Sequence, residues 1–223
     1  MALILNIETT TEVCSVCVAK EGVCIALKES FSQNHASDLH VFIQQVLIEA
    51  GVEMKDIHAV AISSGPGSYT GLRIGWASAK GLCYAIGVPL ISVSTLEALV
   101  RDMQTKSPGV PYYMPMLDAR RMEVYTALYD TAMHCVVHPQ AYILTDASIV
   151  PVDGMVAYGG SGAAKAQDLL TAPVYTYVPD IYCSAAHMAP VSAEMYNRKD
   201  FADVAYSEPF YLKEAKITAS KKA

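Results

Sequence analysis

Two hydrophobic patterns alternate along the first hundred residues of the chain. Short apolar runs rich in β-branched residues predict five strands. These runs lie at 3–8, 13–19, 23–28, 57–63 and 90–93. Between them, apolar residues recur every three or four positions, which predicts three helices. The helical segments are 35–50, 71–86 and 95–103. The predicted order is therefore β-β-β-α-β-α-β-α, beginning with an antiparallel meander.

After a Pro- and Gly-containing linker the same order begins again. A strand at 114–118 ends in a carboxylate, as the first strand does, and a return strand at 123–129 follows. The later pattern predicts a strand, a glycine-rich turn and helix up to Leu170, another strand, and a last helix with Pro190 inside it. These segments are 155–158, 159–170, 174–178 and 184–196.

The repetition predicts a duplicated α/β architecture with one mixed sheet in each half. The first unit covers residues 1–105 and the shortened second unit covers 111–212. The polar segment 213–223 is expected to be a disordered tail. In such folds, ligands bind beyond the carboxyl ends of the strands.

The segment at 65–75, GPGSYTGLRIG, joins a predicted buried strand to a predicted helix. It is not a phosphate-binding Walker motif, because Leu72 follows Gly71 where a lysine is required. It is not the dinucleotide fingerprint either, because Thr70 occupies the third glycine position. Two interpretations remain: the helix start binds an anion, or the glycines allow a tight strand-to-helix join. Ser68 and Thr70 have no histidine nearby in the sequence to act as a base, which favours helix capping for them.

The composition limits the classes of function. With 52% hydrophobic and 17% charged residues, a well-buried core with an apolar partner surface is expected. A net charge of −6 makes the chain alone a poor nucleic-acid binder. Six cysteines without a spaced framework predict reduced thiols. The apolar N-terminal run is too short for a signal peptide, and no run reaches transmembrane length, so the expected location is the cytoplasm.

Candidate ligands for a metal or nucleotide are few. His134 and His138 would need a helix to share a metal, and their surroundings favour a strand or loop. Cys14 and Cys17 lie on a predicted strand, where positions three apart face opposite sides.

The two carboxylates at strand ends, Glu8 and Asp118, could hold a magnesium–nucleotide complex. The alternative is turn stabilisation, with Asp118 paired to Arg120 or Arg121.

The glycine motif at 65–75 resembles that of the TsaB family, also called YeaZ. Further segments agree in order along the chain: ILNIETT at 4–10, VSTLE at 93–97, DARRMEVY at 118–125 and EPFYLK at 208–213. The resemblance implies a duplicated actin/Hsp70-like fold (ASKHA, ribonuclease H-like). It also implies a scaffold without catalysis that supports a TsaD-like subunit, which forms N6-threonylcarbamoyladenosine next to the anticodon of tRNAs reading codons that begin with adenine.

The resemblance further implies a TsaE-like ATPase as a partner, a homodimer when the chain is alone, and tRNA contact only through the complex. TsaD-type enzymes carry a His-x-x-x-His metal pair where this chain has Thr95 and Leu99. No metal and no catalytic residue are therefore expected here. No cofactor is required, although ATP with magnesium is expected as a candidate ligand at the interface of the complex.

By the same resemblance, the partner surface is formed by the helices at 35–50 and 71–86. Its expected residues are His35, Leu39, Arg73, Trp76, Ala77, Lys80 and Tyr84. The candidate anion or nucleotide site comprises Glu8, Thr9, Thr10, Gly65, Gly67, Ser68, Thr70, Gly71 and Asp118. The alternative function is a free-standing ASKHA-type ATPase or, following an older family label, a glycoprotease-like hydrolase.

Overall fold

The computed structural model describes residues 2–32, 34–145 and 152–213. The predicted tail, apart from Lys213, lies outside these ranges. Residues of the first half form a five-stranded sheet in the order β3-β2-β1-β4-β5. Its strands are β1 (Leu3–Glu8), β2 (Cys14–Lys20), β3 (Val23–Ser30), β4 (Ala59–Ser63) and β5 (Leu90–Val93). The helices of this half are α1 (His35–Ala50), α2 (Tyr69–Ile86) and α3 (Thr95–Lys106).

The second half repeats the arrangement with a sheet in the order β10-β9-β6-β7-β8. Its strands are β6 (Tyr112–Asp118), β7 (Glu123–Asp130), β8 (Cys135–Ile143), β9 (Val156–Gly159) and β10 (Tyr175–Tyr177). Helix α4 (Ala185–Arg198) ends this half and contains Pro190. In both sheets the first strand is antiparallel to the second and parallel to the fourth. The predicted duplicated actin-like fold is therefore confirmed.

Two predictions for the second half fail. The helix expected to reach Leu170 is only a 3-10 turn at Ala163–Ala166, followed by further turns. The segment between Gly162 and Pro173 is short, and an isolated helix of that length is marginal. Strand β8 was not predicted, because Pro139 interrupts its pattern. Pro139 is tolerated since β8 lies at the edge of the sheet, where a missing N–H costs no ladder bond.

Local signals set most boundaries where they were expected. Ser68, Ser94 and Ser184 cap the starts of α2, α3 and α4 by accepting hydrogen bonds from backbone N–H groups. Gly51 ends α1 with φ of 66°, a left-handed conformation that glycine adopts without steric cost.

Helices α3 and α4 each pack on the sheet of the opposite half. Helices α1 and α2 cover one face of the first sheet. Its other face is covered by α4, whose Met188 and Val191 pack against Ile4 and Ile91. Helix α3 instead packs on the second sheet, where its buried apolar side chains contact Tyr113. Each such buried side chain contributes roughly 1.5–3 kcal/mol. The cores of the two halves are consequently completed by each other's helices.

Across the described ranges, every helix is too short or too polar to cross a membrane.

Candidate functional site

The glycine motif packs against the loop between β1 and β2. A Cβ added at Gly67 would overlap the carbonyl oxygen of Thr10, and one at Gly71 would overlap that of Thr9. Backbone and side-chain hydrogen bonds fix this approach: Ser68 N donates to Thr10 O at 2.6 Å, and Thr9 Oγ1 donates to Gly71 O at 2.8 Å. The space beside these glycines is occupied by the chain itself. This favours the tight-join interpretation of the motif.

Gly65, the first glycine of the motif, joins three segments of the chain. Its φ of +110° is a conformation that favours glycine, and the Phe210 carbonyl fills the position of a Cβ. Gly65 N donates to Thr95 Oγ1 at 3.1 Å, and Thr95 N donates to Gly65 O at 3.1 Å. Phe210 N donates to Ser64 O at 2.7 Å. Thr95 therefore holds the glycine loop in place.

Ser68 and Thr70 show no nucleophile geometry. Ser68 Oγ accepts a hydrogen bond from Gly71 N at 3.3 Å, as expected for a helix cap, and the Thr70 side chain is exposed.

Glu8 is fully buried at the end of β1. Its Oε1 accepts two hydrogen bonds of 2.5 Å, from the N and the Oγ1 of Thr10. Its Oε2 has no well-formed hydrogen bond in the part of the chain that the structure describes. Burial raises the pKa of Glu8 above the usual value for a glutamate, although the bonds from Thr10 counteract part of the effect. A carboxyl group in this setting disfavours a negative charge.

Asp118 occupies the matching position at the end of β6, and its side chain is 47% exposed. Its Oδ1 accepts from Lys165 Nζ at 2.6 Å and from Arg120 N at 2.5 Å. Desolvation alone would raise the pKa of Asp118, but the Lys165 ammonium and the Arg120 N–H together lower it below the usual value. Turn stabilisation was the sequence alternative for Asp118. The structure supports it with a different partner, Lys165.

A small pocket lies between the two halves. It has a volume of about 40 Å³ and is lined by Thr11, Glu12, Val13, Phe31, Leu117, Ser161, Tyr182 and Cys183. A site for a drug-sized ligand or cofactor needs roughly 300–1,000 Å³, whereas about 30 Å³ is the share of one water. This pocket is therefore too small for a nucleotide, and neither Glu8 nor Asp118 lines it.

Metal-binding groups are also lacking in the described ranges, where no cluster of three or more His, Cys, Asp or Glu side chains is found. His134 lies in the turn before β8, and its Nδ1 is 2.9 Å from Asp130 Oδ2. Cys14 and Cys17 belong to the cores on opposite faces of the first sheet, as their spacing predicted.

The outward surface of α1 and α2 is here called the α1–α2 face. Its exposed residues include Val41, Gln44, Ile48, Arg73, Ala77, Gly81 and Tyr84. Ile48 is 79% and Tyr84 is 87% exposed, a high value for large apolar side chains. His40 and Ser78 approach to 3.5 Å and connect the two helices.

Six of the seven residues expected at a partner surface divide into two groups. Arg73, Ala77 and Tyr84 are exposed on the α1–α2 face. Leu39, Trp76 and His35 are buried, so they pack beneath the face and are not part of its exposed surface. Trp76 Nε1 donates to Ser63 O at 3.2 Å, and His35 Nε2 lies 2.7 Å from Thr11 O.

Lys80 is half-buried and binds the chain itself, donating to the carbonyls of Ala205 and Ser207 at 3.1 and 2.8 Å. Val41 and Ile48 were not anticipated at the surface. They are apolar and seven residues apart, away from the buried stripe of α1, and this spacing was the available signal.

Two like sheets, each of five strands, with helices exchanged between them, define an actin/Hsp70-like protein whose glycine loop is a packing element. The family model described as "TsaD: tRNA N6-adenosine threonylcarbamoyltransferase" matches residues 27–220. The tRNA threonylcarbamoyladenosine biosynthesis protein TsaB of Escherichia coli is 30% identical over 94% of both chains. YeaZ from Pseudomonas aeruginosa has a TM-score of 0.85 and 26% identity, over 95% of this chain and 100% of that one. The chain belongs to the TsaB family, also called YeaZ.

A more distant neighbour agrees on the fold. Component A of (R)-2-hydroxyglutaryl-CoA dehydratase from Acidaminococcus fermentans has a TM-score of 0.54 at 10% identity, covering 89% of this chain and 98% of that one.

Proposed function

We propose that this chain is a scaffold subunit, without catalysis of its own, in the synthesis of N6-threonylcarbamoyladenosine on tRNA. The observation that carries the proposal is the near full-length relation to a protein named for that biosynthesis. The subunit would act in the cytoplasm with a TsaD-like subunit that performs the transfer, next to the anticodon, and with a TsaE-like ATPase.

The absence of catalysis is supported by what replaces the metal pair. Thr95 is bound to the backbone of Gly65, and Leu99 is fully buried among the side chains that α3 packs on the second sheet. Neither side chain is a metal ligand of the kind that transferase chemistry would need. We therefore expect no cofactor in this chain, and ATP with magnesium only at the interface of the complex.

The α1–α2 face is the surface that we assign to the TsaD-like subunit and, in its absence, to a second copy of this chain. Ile48 and Tyr84 are large, highly exposed side chains that can serve as apolar anchors. Ala77 and Gly81 are exposed on the same face, and their small side chains permit close approach of another helix. Arg73 is held over the ring of Tyr69, with its Cζ atom 4.2 Å from the ring centre, and donates to Tyr69 Oη at 2.5 Å. Arginine and tyrosine are enriched at the centres of protein interfaces.

The test combines a product assay with surface variants. Purified TsaD-like and TsaE-like proteins, threonylcarbamoyl-AMP and tRNA are incubated with and without this chain, and the modified nucleoside is measured. We expect product only when the chain is present, and none from the chain alone. The double variant Ile48→Glu/Tyr84→Ser should fold normally yet lose assembly and product by more than tenfold, because buried charges at an interface are costly.

Ile143→Glu is the matched control, since Ile143 is 60% exposed but lies on the second sheet. It should leave assembly intact. Equal assembly by the double variant and the control would contradict the assignment of the face, and product formation without the chain would contradict the function.

A further inference from the structure

The turn between β6 and β7 places two arginines side by side in a strained conformation. Arg120 has φ of 68° and Arg121 has φ of 53°, and both side chains are exposed. Residues other than glycine, asparagine and aspartate rarely adopt positive φ, and each instance costs on the order of 1 kcal/mol or more. Two consecutive arginines at such positions are an unfavourable choice for stability alone.

The acidic residues beside this turn are already neutralised by lysines. Asp118 is paired with Lys165 and accepts a hydrogen bond from the backbone N–H of Arg120, whose guanidinium acts on it only as a nearby positive charge. Glu123 is paired with Lys213, whose Nζ also approaches the carbonyl oxygen of Ala119. Consequently, the guanidinium groups of Arg120 and Arg121 have no hydrogen-bond or ion-pair partner within the described ranges. The N–H donors of both guanidinium groups are therefore accessible to an acceptor on another molecule.

The surroundings of the turn are also positively charged, whereas the chain as a whole is negatively charged. Four cations, Arg120, Arg121, Lys165 and Lys213, surround two carboxylates, in a chain whose net charge is −6. A planar guanidinium offers paired N–H donors that match two oxygens of a phosphate group. Two adjacent guanidinium groups are therefore better suited to a ligand with several phosphates than to a single carboxylate.

We propose that the β6–β7 turn binds the phosphate backbone of RNA when the chain is part of its complex. The inference rests on the proposed function, which supplies an RNA substrate. It adds to the expectation that tRNA is contacted only through the complex, because it gives this chain a direct part in that contact. Arg120 and Arg121 contact the phosphates, while Lys165 and Lys213 hold the turn by pairing with its carboxylates. The turn lies on the second sheet, whereas the α1–α2 face covers the first, so both surfaces are available at once.

The sharpest test removes both charges without straining the turn. In the variant Arg120→Asn/Arg121→Gly, both new residues accept positive φ readily, so the fold should be as stable as before or more stable. Binding of tRNA to the assembled complex is measured across a series of salt concentrations. Loss of two phosphate contacts should weaken binding about tenfold or more and reduce the slope of log K against log salt by about 2.

The control Lys20→Ala/Arg198→Ala removes two exposed cations elsewhere on the chain and should leave the slope unchanged. In the product assay, the turn variant should raise KM for tRNA and leave kcat unchanged, since phosphate contacts of this kind position the RNA.

Two results would overturn the inference. One is an unchanged slope for the turn variant. The other is loss of assembly with the TsaD-like subunit, which would make the turn a protein contact. The salt series is run on the complex without threonylcarbamoyl-AMP, so that binding at the turn is measured independently of product formation. An absent product would contradict the proposed function, and the slope alone would still decide the role of the turn.

Discussion

The ends of β1 and β6 are equivalent positions in the two halves, yet their carboxylates lie in opposite environments. Glu8 is fully buried and its pKa is raised, chiefly by desolvation. Asp118 is half exposed, and its ion pair with Lys165 lowers its pKa. In the first half the glycine motif closes over the corner between β1 and β2. In the second half the corner remains open and carries the two arginines.

The difference shows that a duplicated fold keeps its backbone positions while the surrounding loops decide the chemistry. Three glycines of α2 and its preceding loop, Gly67, Gly71 and Gly75, admit Thr9 and Thr10 and thereby bury Glu8. The corresponding segment of the second half contains Gly160 and Gly162, which pack on Met116 and Leu117 and leave Asp118 outside. The first corner is suited to rigidity and the second to contact with other molecules.

The largest expected effect comes from filling the first corner. In Gly71→Ala the new Cβ would overlap the carbonyl oxygen of Thr9, a backbone atom that has no room to move. We expect a loss of about 3 kcal/mol in the free energy of unfolding, or failure to fold. Gly81→Ala is the control, because its Cβ would meet nothing within 4 Å. That variant should gain about 0.5–1 kcal/mol from helix propensity. Chemical denaturation measures both, and equal stability of the two variants would refute the close packing.

A smaller change in the free energy of unfolding is expected for Glu8→Gln. The pH dependence of this change is opposite in direction to that expected for Asp118. The folded pKa of Glu8 lies above its unfolded value, so the folded chain holds an extra proton between the two pKa values. Its contribution to stability is therefore present at low pH and is lost as the pH rises through the folded pKa. The Gln variant should lack this decrease and be more stable than the parent at neutral pH. Denaturation curves at several pH values test it, and a parent whose stability rises with pH in the same window would contradict a buried, poorly paired carboxyl.

The smallest effect is expected for Asp118→Asn, with the opposite sign. The folded pKa of Asp118 is lowered, so its stabilisation is complete above the unfolded pKa and is lost as the pH falls through the folded pKa. Because the pair with Lys165 is partly exposed, its loss should cost less than about 1 kcal/mol at neutral pH. Thermal unfolding at low and high salt measures the change, with the larger difference expected at low salt. An increase in stability would mean that the charged form of Asp118 destabilises the fold, as is expected for Glu8.

Much of the fold follows from the sequence because its local signals agree with the tertiary structure. The serine caps, Gly51 and the alternation of apolar runs predicted the α-helices and strands of the first half, although not the 3-10 turn at Met54–Asp56. In the second half, β8 was missed because Pro139 and several polar residues weaken an edge strand whose pairing is decided by β7. The predicted helix after Gly162 failed because its apolar spacing lacks the length for a stable helix.

The site was less predictable, since burial is decided by distant segments. Helical spacing places Trp76 and Tyr84 less than a quarter-turn apart in projection, yet one is in the core and the other is 87% exposed. The lysines that pair with Asp118 and Glu123 come from positions 47 and 90 residues away in the chain. No local pattern of sequence identifies such partners.

The exchange of helices between the halves has a consequence for how the chain is made. The face of the first sheet formed by Ile4, Ala59, Ala61 and Ile91 is covered by α4, which ends at Arg198. During translation, this apolar face is complete long before the helix that covers it leaves the ribosome. Folding that depends on such distant contacts is slow, and exposed sheet surface in the interval promotes aggregation. We therefore expect the newly made chain to be prone to aggregation until its last helix has docked.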